Sequence, residues 1–141
     1  MNMESKERLR LILHRAHQRL TRQRLMVWEV LEKTQQHLDA ESLYRQAIKC
    51  DPKISMATVY RTLALFKEAG LVQDDRLGEN HAHFEKVREN PHHHFTCLRC
   101  GRVIEFAAPE VEDIIARLNL DSGMVITEAS LSFIGYCDQC R

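Results

Sequence analysis

The sequence predicts an α+β protein, with an N-terminal winged helix-turn-helix DNA-binding domain followed by a small α/β dimerisation domain that carries a four-cysteine zinc site. Three observations carry this expectation. Apolar residues recur at helical spacing in successive segments before Gly70, and a hairpin pattern follows them. Beyond Pro91 the pattern changes to strands around a single amphipathic helix. Cysteines come as two Cys-x-x-Cys pairs, Cys97/Cys100 and Cys137/Cys140.

Taken in order, residues 4–18 place Leu9, Ile12, Leu13 and Ala16 on one helical stripe. Thr21 can cap a second helix, 22–33, with Leu25, Trp28 and Leu31 inward. Asp39 can cap a third over 40–50, burying Leu43, Tyr44, Ala47 and Ile48, and Asp51-Pro52 ends it. Ser55 caps a fourth, 56–69, with Val59, Leu63, Phe66 and Ala69 along its stripe and Gly70 as the stop. Residues 71–76 and 81–86 read as strands joined at Gly78-Glu79-Asn80. Short helices followed by a small hairpin outline a winged helix-turn-helix, whose last helix reads a major groove. Its polar face offers Ser55, Thr58, Tyr60 and Arg61, and Arg61 has the fork that suits a guanine edge. Arg19, Arg22 and Arg24 stand where a helix start meets backbone phosphates. The bland alternative is a set of solvated charges on a helical domain.

The expected domain limits are 1–86, a hinge at 87–91, and 92–141. In the second domain, 92–97 and 102–107 read as strands around the Cys-x-x-Cys-Gly turn. Pro109 opens a helix with Val111, Ile114, Ile115 and Leu118 at i, i+3, i+4 and i+7. Residues 124–136 read as one long strand leading into the second cysteine pair. So short a segment has little core of its own, which calls for a metal staple and a partner chain, and we expect a homodimer.

The formal net charge is zero, but it is unevenly spread. Residues 1–78 hold 14 Lys+Arg against 10 Asp+Glu, and residues 79–141 hold 6 against 10. A basic half suits nucleic-acid phosphates and an acidic, His-rich half suits cations. No stretch approaches the roughly 18–20 apolar residues of a membrane span, so a cytoplasmic protein without membrane contact is expected. In that compartment the five cysteines are thiols or metal ligands rather than disulfides. Cys50, outside the pairs, reads as a small buried side chain.

Four thiolates match a closed tetrahedral zinc site with no open position for catalysis. A redox pair and an iron–sulfur cluster are the alternatives, and neither has its usual context or spacing here. Five of the eight histidines lie between residues 81 and 94. His92 and His94 project to one face of a strand and His93 to the other, with Glu85, Glu105 and Glu112 nearby in sequence. Imidazole and carboxylate without thiolate suit Fe(II), Mn(II) or Zn(II). A surface histidine strip with adventitious affinity is the alternative.

At this point the chain resembles the ferric uptake regulator family of metal-dependent repressors. The resemblance rests on Ala57-Thr58-Val59-Tyr60-Arg61-Thr62-Leu63, His92-x-His94-x-x-Cys97-x-x-Cys100-Gly101, Val103-Ile104-Glu105-Phe106 and Gly135-Tyr136-Cys137-x-x-Cys140. It runs from Leu20-Thr21 to Cys140. It implies a regulatory metal site on His37, Glu85, His92, His94 and Glu105, where composition alone marks His37 as a solvated loop residue. It further implies structural Zn(II), regulatory Fe(II) with Mn(II) as second choice (Zn(II) serving in vitro), and a palindromic duplex operator bound by a dimer.

There are departures from the family pattern. Arg22 stands where members often have Pro. A second His/carboxylate site of the family falls on Pro91, His93, Glu112 and Ala129, so two ligands are missing unless His81 or His83 substitutes. Glu105 stands where peroxide-sensing members commonly carry Asp, and no spare Cys lies near the regulatory residues as in zinc sensors. A constitutive zinc-stapled DNA-binding module is the reading from another class. An enzyme is not expected, since there is no H-E-x-x-H and the four-Cys site is closed.

Overall fold

A computed structural model describes residues 3–34, 37–88, 90–126 and 129–141. The chain forms two compact units, residues 1–76 with 80–87, and residues 77–79 with 88–141.

The first unit contains α1 (Met3–Arg15), α2 (Arg22–Lys33), β1 (Leu38–Asp39), α3 (Ala40–Cys50), α4 (Met56–Glu68), β2 (Val72–Asp75) and β3 (His83–Lys86). Local chemistry sets the helix starts. The side chains of Thr21, Asp39 and Ser55 accept the backbone N–H groups of Arg24, Ser42 and Thr58, each covering a donor that has no partner inside the helix. Helix α4 ends where Gly70 turns left-handed at φ +71°, letting Gly70 N–H reach Lys67 O and Leu71 N–H reach Phe66 O. Leu9, Leu13, Val27, Leu43, Val59, Leu63 and Phe66 are fully buried where the helices meet. Trp28 meets Phe66 edge to face, with ring centroids 5.6 Å apart. The sheet runs β1-β3-β2, antiparallel throughout, with Leu38 opposite Phe84 and Gln73 opposite Glu85. Lys86 at the end of β3 lies 5.6 Å from the Trp28 ring and 3.5 Å from Glu32, which fastens the hairpin to α2.

The second unit contains β4 (His93–Cys97), β5 (Val103–Phe106), α5 (Pro109–Ser122) and β6 (Ser132–Gly135). Its sheet order is β5-β4-β6, with β5 antiparallel and β6 parallel to β4. The parallel pair needs a crossover, which α5 and its flanks supply. A Cβ on Gly135 would lie 3.4 Å from the Phe95 ring, at van der Waals contact, so β6 packs closely along β4 here. Helix α5 has no buried residue: Val111 and Ile115 are half-buried, while Ile114 and Leu118 are exposed.

Several expectations are corrected. Helix α1 stops at Arg15 instead of running to residue 18, because His17 adopts φ +56° and Gln18 N–H turns back to Leu13 O, leaving Ala16 exposed. Strand β1 was not expected. Its strand pairing is with β3, far along the chain. Cys50 is exposed rather than buried: its position, i+3 from the inward Ala47, lies on the buried stripe, but it is the last residue of α3. The long strand over 124–136 contracts to Ser132–Gly135. After the left-handed Gly123, Ile126 N–H bonds Asn119 Oδ1, and Leu131 N–H bonds a histidine side chain, so these backbone donors serve other partners than a ladder. Thr127 and Glu128 lie outside the described residues.

Candidate metal centres and nucleic-acid face

The two Cys-x-x-Cys turns converge in the second unit. Cys97, at the end of β4, pairs in register with Gly135, which carries β6 straight into Cys137. Sulfur atoms of Cys97, Cys100, Cys137 and Cys140 all lie within 4.8 Å of one another. Backbone N–H groups point at the sulfurs: Cys137 N–H donates to Cys97 Sγ at 3.5 Å. The N–H donors of Cys100 and Cys137 hold the Cys97 thiol down at about 6. Neighbouring Cys137 and then burial push Cys140 up to about 12. A sulfur cluster that keeps one thiolate and crowds protons onto another is suited to a divalent cation replacing those protons. The four-cysteine set fits a structural zinc, and a closed sulfur shell leaves no position for substrate.

Each unit also carries imidazole and carboxylate groups side by side. In the first, His37 Nδ1 is 3.4 Å from Glu85 Oε2, with side-chain exposures of 11% and 9%. Glu85 Oε1 accepts a 2.8 Å bond from Gln73 Nε2, so a neutral donor fixes one oxygen and orients the other toward His37. His37 directly precedes β1, and the pairing of β1 with β3 is what brings it beside Glu85. In the second unit the His92 and His94 rings are 5.0 Å apart at 89°, and Glu105 on β5 is the register partner of His94. Both Glu105 oxygens accept from Arg88, at 2.7 and 3.1 Å. These donors are nitrogen and oxygen throughout, the set that takes Fe(II), Mn(II) or Zn(II).

Of the second expected site, the structure describes His93, Glu112, His81 and His83. His93 is buried, its Nδ1 accepts Leu131 N–H at 3.2 Å, and its ring lies 5.8 Å from Phe106. That bond makes Nδ1 the acceptor and puts the proton on Nε2. Glu112 is exposed on the first turn of α5, and neither it nor His93 joins a group of three candidate ligands among the described residues. The His81 and His83 rings lie 4.9 Å apart in the first unit, tilted by 36°, and His81 Nε2 is 3.3 Å from Asp39 Oδ2. Bonds from Ser42 chiefly, with the two histidines adding, hold Asp39 below the usual carboxylate range.

On α4, Tyr60 and Arg61 are exposed, and Ser55 and Thr58 are tied together at the N-terminus, with hydroxyls 2.9 Å apart. Arg19 and Arg22 are exposed ahead of and at the start of α2. Arg24 is half-buried and donates to Arg19 O at 2.6 Å, so it also shapes the turn. Sequence reasoning missed Gln73 and Arg88. The hairpin register could have pointed to Gln73, and Arg88 was hidden in a stretch read only as a linker.

A model of the ferric uptake regulator family matches residues 15–134. The ferric uptake regulation protein of Rhizobium leguminosarum bv. viciae is 38% identical over 117 residues, which cover 83% of this chain and 82% of that protein. Among solved structures, the Helicobacter pylori ferric uptake regulator, described as having three functional metal binding sites, matches with a TM-score of 0.77 and 26% identity over 99% of this chain and 94% of that one. The ferric uptake regulator of Pseudomonas aeruginosa with manganese matches with a TM-score of 0.75 and 29% identity over 97% and 99%. Together with the cysteine cluster and the two-unit fold, these matches establish that the chain belongs to the ferric uptake regulator family.

Proposed function

We propose that this chain is a cytoplasmic, dimeric, metal-responsive transcriptional repressor that senses Fe(II) and binds a palindromic duplex operator. The reading assigns zinc to Cys97, Cys100, Cys137 and Cys140, and the regulatory ion to His37, Glu85, His92, His94 and Glu105. The observation that carries it is the His37–Glu85 pair, 3.4 Å apart and nearly buried at the edge of the first unit's sheet. A constitutive DNA-binding module has no use for such a pair. Residues 87–91 are the hinge between a DNA-binding domain at 1–86 and a dimerisation domain at 92–141.

In this mechanism His37, Glu85, His92, His94 and Glu105 would hold the divalent cation, which would supply positive charge for their imidazole and carboxylate groups to share. Gln73 holds the Glu85 carboxylate ready, and β1 holds His37 beside it. Arg61 and Tyr60 on α4 meet base edges, and Arg19, Arg22 and the N-terminus of α4 meet phosphates. The dimer forms through the second unit, where Ile114 and Leu118 on α5 and Phe133 and Ile134 on β6 are between 40% and 54% exposed. So much exposed apolar surface on so small a unit suits burial against a second copy. Two recognition helices are thereby set at the spacing of two half-sites. The chain carries no enzymatic activity in this account.

Manganese is the second reading, favoured by the Pseudomonas aeruginosa relative solved with that metal. The test is His37→Ala, measured by fluorescence anisotropy on an operator selected from random duplexes by the metal-loaded wild type. Metal-dependent DNA binding should disappear while zinc content and dimer mass are unchanged. Undiminished metal-dependent binding would refute the role of His37.

A further inference from the structure

Glu105 and Glu85 are held in different ways. Glu85 gives one oxygen to the neutral Gln73 amide. Glu105 gives both oxygens to the guanidinium of Arg88, at 2.7 and 3.1 Å, in a fork-on-fork pair within the second unit. Arg88 belongs to the hinge segment and Glu105 to β5, opposite His94. A cation that coordinates Glu105 must share its two oxygens with the guanidinium and sit close to that positive charge, so the two cations oppose each other at this carboxylate. The competition is present at every working pH, because arginine stays protonated.

We propose that Arg88 is a built-in competitor for the regulatory cation. Its guanidinium clasps the Glu105 carboxylate when metal is scarce and is displaced when the ion binds, so Arg88 sets the metal concentration at which the protein responds. This inference rests on the regulatory-site reading above, which places Glu105 among the ligands. Arg88 is a positioning residue and not a ligand. Its side chain is 48% exposed and that of Glu105 33%, so solvent screens the pair and the effect on affinity is modest.

The test uses the full-length, zinc-loaded chain and Mn(II) as an air-stable probe, with free Mn(II) followed by electron paramagnetic resonance. Arg88→Gln should bind Mn(II) about two- to fivefold more tightly than wild type, the range set by an exposed ion pair. The gain should shrink as salt is raised. Arg88→Lys keeps the charge but loses the fork, so it should fall between the two. In a Glu105→Gln background, Arg88→Gln should change nothing. If Glu105→Gln weakens Mn(II) binding but Arg88→Gln leaves it unchanged or weaker, the competitor role is overturned and the site reading stands. If Arg88→Lys matches wild type, net charge alone is responsible and the clasp is overturned. If Glu105→Gln itself binds Mn(II) as wild type does, the site reading fails, and this inference with it.

Discussion

Removing the two buried sulfurs, Cys97 and Cys137, should unfold the second unit and leave the first intact. The reason lies in how unevenly the chain buries apolar surface. The first unit's core runs through α1 to β2, from Leu9 to Val72. Among the described residues of the second unit the buried apolar side chains are Leu77, Cys97 and Cys137, and two of these belong to the four-cysteine cluster that fits a zinc ion. A bound structural zinc contributes on the order of 10–16 kcal/mol of apparent free energy in small zinc modules. Full burial of one large apolar side chain contributes about 1.5–3 kcal/mol. The metal term is several times larger than that of any single buried apolar side chain in this unit. The variant Cys97→Ser/Cys137→Ser should therefore lose stoichiometric zinc, and its amides beyond residue 91 should exchange with solvent within the dead time. Amides of α2 and α4 should stay protected. Protection of β4 and β5 at the wild-type level in the zinc-free variant would refute the argument.

Acidity should act through the same sulfurs. Cys97 is depressed from its ordinary 9.0 to about 6 by backbone N–H donors. A depressed group contributes at high pH and loses that contribution as pH falls through the folded value, so zinc affinity, which already falls with pH as the other thiols take up protons, should fall more steeply below about pH 6. Because Cys97 is already a thiolate at pH 7, zinc loading in weak buffer should release fewer than four protons per ion, read with a pH indicator. Leu118→Glu on the exposed face of α5 should convert the dimer to monomer, seen by sedimentation, with the zinc site intact. Asp39→Ala removes the cap of α3 and should cost about 1 kcal/mol at pH 7 by urea titration. The wild-type Asp39 contribution is present above its ordinary 3.8 and is lost as pH falls through its lower folded value, so the difference between the two proteins should narrow there. Phe66→Ala, at a site with no exposure, should cost about 3–5 kcal/mol.

The elements most legible in the sequence were those whose limits are set by neighbours in the chain. Helices α2 and α3 begin and end where Thr21, Asp39 and Asp51 place them, because capping is a bond across three residues. The four cysteines were legible for the same reason, since each pair sits on one tight turn. What depends on distant pairing was not legible. Strand β1 exists only because β3 lies beside it, and the parallel alignment of β6 with β4 leaves no periodic mark. His37 reads as a loop residue until β1 carries it to Glu85, so its role came from resemblance and not from pattern. Gln73 and Arg88 are ordinary polar residues in sequence. Only their carboxylate partners make them part of a site.

The central claim is that metal supply controls DNA affinity, and the most direct measurement is operator binding by the zinc-loaded wild type with and without the regulatory ion. Anaerobic Fe(II), then Mn(II) and Zn(II), are compared with a chelator too weak to strip the sulfur site. The account predicts tighter binding with metal by about 5- to 150-fold, the usual range of coupling between two sites, with Fe(II) effective at the lowest concentration. Equal affinity in the presence and absence of the ion, with zinc still in place, would contradict it.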